Sequence, residues 1–513
     1  MSAWLSKHCK EGDRIGVDSN LMSTRMWNSM MTAFENTGCL MTAVSPNLVD
    51  LVWENQPARP LNKIIPLDVK YAGKMVNTKI EEVRSKMLEQ NAKVLVLTAL
   101  DEIAWLYNLR GSDIDFNPVF FSYSIITDTE MYLFIEPSRI DDTIVRHFEQ
   151  NNVKVTIRKY GEIFETLEKL ANETSGKVWV AVGSSQTLTA LVPKNKRHQE
   201  ITPIAIMKAI KNDVEAEGIR NSHIRDGVAL VQYFAWLENE VSKNSKITEM
   251  SGADKLEEFR SKKDLFMGLS FTTINGSGPN GSVIHYHPKN ETNREINDKE
   301  MYLCDSGAQY MDGTTDVTRT WHFGVPSEYE KECFTRVLKG QMSMGSQIFP
   351  RKVKGRVLDT LARKFLWDNG LDYGHGTGHG IGHFLNVHEG PMGIGTREMF
   401  DDPGLVENMF LSNEPGYYED GKFGIRIEDI VQIVPANIKN NFAGRGALTF
   451  HTVTMCPIQT KLIDVTMLSE AERQQLNTYH QRVWDTLSPL LEKINGVRDE
   501  QTLVWLKKET RAI

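Results

Sequence analysis

Of the 13 histidines in this 513-residue chain, four fall in one glycine-rich run. It reads Gly374-His375-Gly376-Thr377-Gly378-His379-Gly380-Ile381-Gly382-His383 and continues Phe384-Leu385-Asn386-Val387-His388-Glu389-Gly390-Pro391. Interleaved glycines let a backbone turn sharply and approach a ligand closely. Imidazoles supply metal ligands and proton transfer near neutral pH. A phosphate loop is the competing pattern, but no Lys-Ser or Lys-Thr follows and no GxGxxG is present. His-Glu-Gly-Pro-Met is not HExxH, so a zinc-protease helix is excluded. A surface loop with solvated histidines remains as the alternative, and this density of His and Gly argues against it. No role is assigned to His383.

Carboxylates flank this run on both sides. Asp305 and Asp316 sit in Tyr302-Leu303-Cys304-Asp305-Ser306-Gly307 and Asp312-Gly313-Thr314-Thr315-Asp316-Val317-Thr318-Arg319-Thr320. Asp312-Gly313 is a hairpin-turn signal. The second strand then folds back on the first, and both acids can face one site. The alternative is an Asp at each end of a surface hairpin, but Asp is disfavoured in strands. Downstream come Asn413-Glu414-Pro415-Gly416-Tyr417-Tyr418 and Gly424-Ile425-Arg426-Ile427-Glu428-Asp429. Period-two alternation puts Ile425 and Ile427 on one face of a strand, with Arg426 and Glu428 on the other. The candidate ligands are therefore Asp305, Asp316, His379, Glu414 and Glu428. Four carboxylates cannot all stay ionised close together, because like charges disfavour ionisation. Two divalent ions balance them. One imidazole among oxygens suits manganese or cobalt, with zinc as a further option.

The rest of the chain sets limits on this reading. The formal net charge is −8 with no basic block, which argues against a nucleic-acid partner. Five scattered cysteines without CxxC spacing fit reduced thiols in a cytoplasmic protein. The first residues lack the long apolar run of a secretory signal. No apolar stretch reaches the ~18 residues of a membrane span, and the C-terminus has no lipid-anchor tail.

Arg14 to Val17 reads as a strand, Ser23 to Asn36 as a helix, and Leu40 to Val44 as a strand. Pro57, Pro60 and Pro66 mark a linker over 54–68. Residues 69–203 mix helices and strands in an α/β domain, with a strand predicted over Val119 to Ile126. A long helix is predicted from about Ile206 to Val241, then strands and glycine turns to about Val453, then a helical tail from Ser469.

These motifs resemble the creatinase and aminopeptidase family with the pita-bread catalytic fold, and its Xaa-Pro aminopeptidases above all. Asp-Gly-Thr-Thr-Asp-Val-Thr-Arg-Thr, Leu-Asn-Val-His-Glu-Gly-Pro and Glu-Pro-Gly-Tyr-Tyr-Glu-Asp-Gly carry the likeness. Thr98 to Leu106, Asn108 to Asp113 and Asn280 to Tyr286 extend it. The resemblance implies α/β and α+β architecture: a partial creatinase-like domain at 1–53, a second one at 69–203, and a pita-bread domain at 206–513. It places the metals on the five ligands above. It implies hydrolysis of the N-terminal Xaa-Pro bond by a hydroxide held between two ions, most readily manganese. It implies Glu414 as proton carrier, and His285 and His388 as donors to the tetrahedral intermediate. It puts His375 beside the proline, Arg426 as a carboxylate holder, and the protein in a cytosolic homodimer. A dipeptide-cutting prolidase and a non-catalytic pita-bread binding protein are the alternatives. The first 53 residues, read as an interrupted sheet, are expected to leave apolar surface uncovered.

Overall fold

The computed structural model describes residues 1–492 and 497–513. They divide into two compact units. The first comprises Met1–Val69, Lys74–Ile114 and Val119–Ala205. The second comprises Lys70–Gly73, Asp115–Pro118 and Ile206–Ile513.

The first unit is built on a six-stranded mixed sheet. Its central strand Ala92–Leu97 pairs parallel with Lys177–Val180 and antiparallel with Tyr123–Thr127. Val94 and Val96 pack against Leu167 and Ala171 of the Ile163–Glu173 helix. The predicted strand from Val119 starts later, at Tyr123. Residues before it are drawn to Asp113, whose carboxylate accepts from the Phe121 amide at 2.8 Å and pairs with Arg139 at 2.7 Å.

Residues 1–53 form a small parallel pair, Arg14–Val17 with Leu40–Ala43. The Thr24–Phe34 helix covers it, giving a core of Met22, Met30, Phe34 and Cys39. Backbone bonds from Thr24 to the Ser184 carbonyl and from Arg25 to the Val182 carbonyl tie it to the larger sheet's periphery, both at 2.9 Å. Trp4, Leu21, Val52 and Leu48 stay exposed. So small an apolar core offers little burial against the entropy of ordering the segment.

In the second unit, the predicted helix from 206 is two helices, Pro203–Ala209 and Asp213–Ser242. Asn212 separates them: its side chain accepts from the amides of Val214 and Glu215, while Glu215 reaches back to the Asn212 amide. Such a capping box stabilises a helix start more than a continuous helix would. Three further helices, Glu249–Ser261, Glu328–Gly345 and Gly355–Trp367, occupy the region predicted as strands and turns. The tail holds helices Glu470–Leu491 and Glu500–Glu509.

Two sheets carry the chemistry. Met301–Ser306 lies between Ile274–Ser277 and Val317–His322 in an antiparallel three-stranded sheet. The long helix packs on it, with Val231 and Phe234 against Tyr302, Val317 and Trp321. The second sheet has six strands, among them Gly378–Gly380, Phe410–Asn413 and Asp429–Pro435. No helix among the described residues is long and apolar enough to cross a membrane.

Candidate metal centre

The hairpin places both aspartates. Met301–Ser306 runs antiparallel to Val317–His322 with Asp305 opposite Thr318. Its tight turn is Met311-Asp312, one residue before the Asp312-Gly313 signal, because Tyr310 pairs with Gly313. Asp305 and Asp316 are both buried, which sets aside the surface-hairpin alternative.

The glycines of the His run serve close strand approach. A Cβ on Gly378 would lie 2.1 Å from the Ser412 carbonyl, and one on Gly380 2.2 Å from the Glu389 carbonyl. Side chains at those positions would push the neighbouring strands apart and move His379 between them. The Glu389 carboxylate is itself locked below the surface by Lys208, at 2.8 Å, and Lys211. That clamp fixes the strand that begins one residue after His388.

His379 Nδ1 donates to the Gly380 carbonyl at 2.8 Å. This fixes the tautomer and leaves Nε2 facing Asp316 at 3.4 Å and Glu414 at 3.5 Å. Backbone or carboxylate partners orient metal-binding histidines in this way. Ser412 holds the next candidate ligand, its hydroxyl donating to Glu414 at 3.0 Å. Thr318 does the same for Glu428 at 2.7 Å. Arg426 spans the site. It pairs with Asp305 at 2.6 Å and donates to the Tyr418 hydroxyl at 2.6 Å. Tyr418 in turn donates to His375 Nε2 across 2.9 Å, and His375 Nδ1 donates to the Gly376 carbonyl at 2.8 Å. Burial first, then Arg426, pushes His375 down to about 3. It is therefore neutral, as this donor chain requires.

The residues fit a pair of cations. Ligand atoms of Asp305, Asp316 and Glu428 come within 4.8 Å of one another, as do those of His379, Glu414 and Glu428. Asp305 Oδ1 is buried with no hydrogen-bond partner among the described residues. Burial, then the neighbouring acids, raises Asp316, Glu414 and Glu428. Burial alone would lower His379, but Asp316 and Glu414 carry it up to about 9. Buried acids that repel one another, one with an orphaned oxygen, form a cation site. A third cluster, Asp316, His379 and His388, also meets the 4.8 Å limit. His388 differs from His379 in being exposed, with its ring 4.3 Å from the His379 ring. Although much of the ring is accessible, the cavity wall around it sheds water, and that desolvation, then the His379 and His285 charges, lowers it to about 4.

A cavity of about 470 Å³ opens on this set. It is lined by all nine residues singled out in the sequence, together with Phe271, Ile274, Ile284 and His287. Sequence reasoning assigned nothing to Tyr418, Thr318, Ser412 or His287. Tyr418 lies within a quoted motif and His287 one residue beyond another. The role of Thr318 comes from a long-range contact with Glu428 that leaves no local pattern, whereas Ser412 reaches Glu414 only two residues on, a period-two neighbour. His383 is buried outside the cavity lining.

This fold and this acid-and-imidazole set define a metallohydrolase with room for two ions. Family models match the creatinase/prolidase N-terminal domain over residues 55–215, metallopeptidase family M24 over 217–435, and the C-terminal region of peptidase M24 over 446–513. The Xaa-Pro aminopeptidase ApepP of Drosophila melanogaster is 61% identical, over 100% of this chain and 83% of the fly protein. A probable Xaa-Pro aminopeptidase P of Laccaria bicolor is 47% identical, over 99% of this chain and 78% of its own length. Among solved structures, the X-prolyl aminopeptidase of Caenorhabditis elegans is described as a cytosolic enzyme with a di-nuclear active site. It matches with a TM-score of 0.94 at 35% identity, covering 100% of this chain and 83% of that one. The chain belongs to metallopeptidase family M24 and, within it, to the Xaa-Pro aminopeptidases. Its architecture is a creatinase-type α/β region followed by the pita-bread catalytic fold.

Proposed function

We propose that this chain removes the first residue from peptides whose second residue is proline, with residue roles as follows. The observation that carries the proposal is the convergence of Asp305, Asp316, His379, Glu414 and Glu428 on one cavity, in a chain of this family. These five side chains would hold two divalent ions, which when bound would supply Lewis-acid chemistry to water and the scissile carbonyl. Manganese suits this oxygen-rich set, with cobalt and zinc as alternatives.

Glu414 accepts a proton from the attacking water and passes it to the proline nitrogen. That nitrogen carries no N–H within a chain, so it must gain a proton to leave. His285 and His388 donate hydrogen bonds to the oxygen that becomes negative in the transition state. Arg426 holds Asp305 in place by a charge-assisted bond. Through Tyr418 it also sets the orientation of His375, which lines the proline side. A cytosolic location and a homodimeric state belong to the same proposal. The C. elegans enzyme's description supports the first.

The test is a peptide series. Arg-Pro-Pro and longer peptides with proline second are cut, and their alanine-second counterparts far more slowly, because the rigid ring pre-orders the bond. Activity confined to dipeptides would move the protein to the prolidase class.

A further inference from the structure

The loop after Ser282 presents two imidazoles to the cavity, and the roles above use one of them. Tyr286 sits between the two and pins the loop. Its side chain is buried, and its hydroxyl lies 2.7 Å from Glu249 Oε2 and 3.0 Å from Thr292 Oγ1. Glu249 is fully buried and also accepts from the amides of Ser277 at 2.7 Å and Arg294 at 2.8 Å. Asn280 donates to both Glu249 oxygens at 3.0 Å. With Tyr286 held inward, His285 and His287 on either side of it are exposed, and both line the cavity. Pro288 follows and fixes its own φ, which limits the loop's freedom beyond His287.

Every other titratable group in the cavity wall has a role in the proposed mechanism. The ring of His287 has no hydrogen-bond partner among the described residues. Asp305, His285 and Lys289 are the charges that act on it. An imidazole keeps at least one N–H donor in either protonation state. With Lys289 beside it, the complementary chemistry is an oxygen acceptor. Phe271 and Ile284 line the same cavity, and apolar neighbours strengthen a hydrogen bond by excluding water.

The part of the substrate still without a contact is the peptide beyond proline. We propose that His287 forms a subsite for the third substrate residue, donating a hydrogen bond to its carbonyl or terminal carboxylate oxygen. This rests on the Xaa-Pro aminopeptidase reading, and it makes His287 a determinant of substrate length.

The experiment uses the metal-loaded full chain and H287Q, a change at an exposed position. KM and kcat are measured with Arg-Pro-Pro as the free acid and as the C-terminal amide. Ki is measured for Arg-prolinamide, which ends at proline, as a competitor. One lost hydrogen bond of this kind corresponds to about tenfold in affinity. H287Q is expected to raise KM for Arg-Pro-Pro about tenfold while Ki for Arg-prolinamide stays within about twofold. A rise for acid and amide alike assigns the carbonyl as acceptor, and a rise for the acid alone assigns the carboxylate. KM and Ki rising together would place His287 on the reacting part of the substrate and overturn the subsite. No change in either would show that it does not touch the peptide. Failure of the wild-type chain to cut Arg-Pro-Pro would instead refute the aminopeptidase reading.

Discussion

Glu428→Ala is expected to empty the metal centre and abolish cleavage. Glu428, like Asp316, belongs to two of the three possible ligand clusters. Its carboxylate is fully enclosed and takes a bond from the Thr318 hydroxyl at 2.7 Å. Alanine removes a ligand from each cluster and leaves Arg426 with one fewer negative neighbour. Even groups that only orient ligands cost about 10–100-fold in metal affinity when replaced, so loss of a ligand should cost at least that. Metal analysis after gel filtration should find substoichiometric ion, and turnover should fall in proportion. Bound metal equal to wild type would remove Glu428 from the ligand set.

His388→Ala is expected to behave in the opposite way. It should keep its ions while kcat falls by about 10²–10³, the range seen when one donor to a developing oxyanion is removed. The structure sharpens this test, because His388 also fits one ligand cluster by distance. Orientation argues against ligation. His379 has its second ring nitrogen pinned by the Gly380 carbonyl at 2.8 Å. Among the described residues, the only ring contact of His388 is with His379, edge to face at 4.3 Å. A ring without an orienting partner suits a donor that tightens only around the substrate. Metal loss in His388→Ala equal to that in Glu428→Ala would make His388 a ligand instead.

The candidate ligands were readable in the sequence because each sits in a motif whose spacing has a physical cause. The hairpin returns Asp316 towards Asp305; Arg426 and Glu428 line one cavity, but the strand expected to carry both ends at Arg426, and Glu428 lies in the break before the strand from Asp429. The sequence suggests that Gly378 and Gly380 allow a sharp turn or close approach to a ligand, but the close approach is to neighbouring strands, which leave no room for a Cβ. That crowding depends on Ser412 and Glu389, which local reading does not bring near. Thr318 and Tyr418 escaped for the same reason, since one reaches Glu428 far along the chain and the other bridges Arg426 and His375, whereas Ser412 stands only two residues before Glu414. The break at Asn212 and the helix from Glu328 carried local signals, the Asn212–Glu215 and Ser327–Glu330 capping boxes. Those boxes were outweighed by apolar spacing in the first case and by a run of strand-like segments in the second.

Hydrolysis at Xaa-Pro bonds is expected to run on a two-ion centre held by Asp305, Asp316, His379, Glu414 and Glu428. Its most direct test is to strip the protein with chelator, add back Mn2+ in steps, and follow bound metal and Arg-Pro-Pro cleavage together. The stripped protein should show no cleavage, and activity should be full once two ions are bound per chain. Full activity in thoroughly metal-free protein would contradict it.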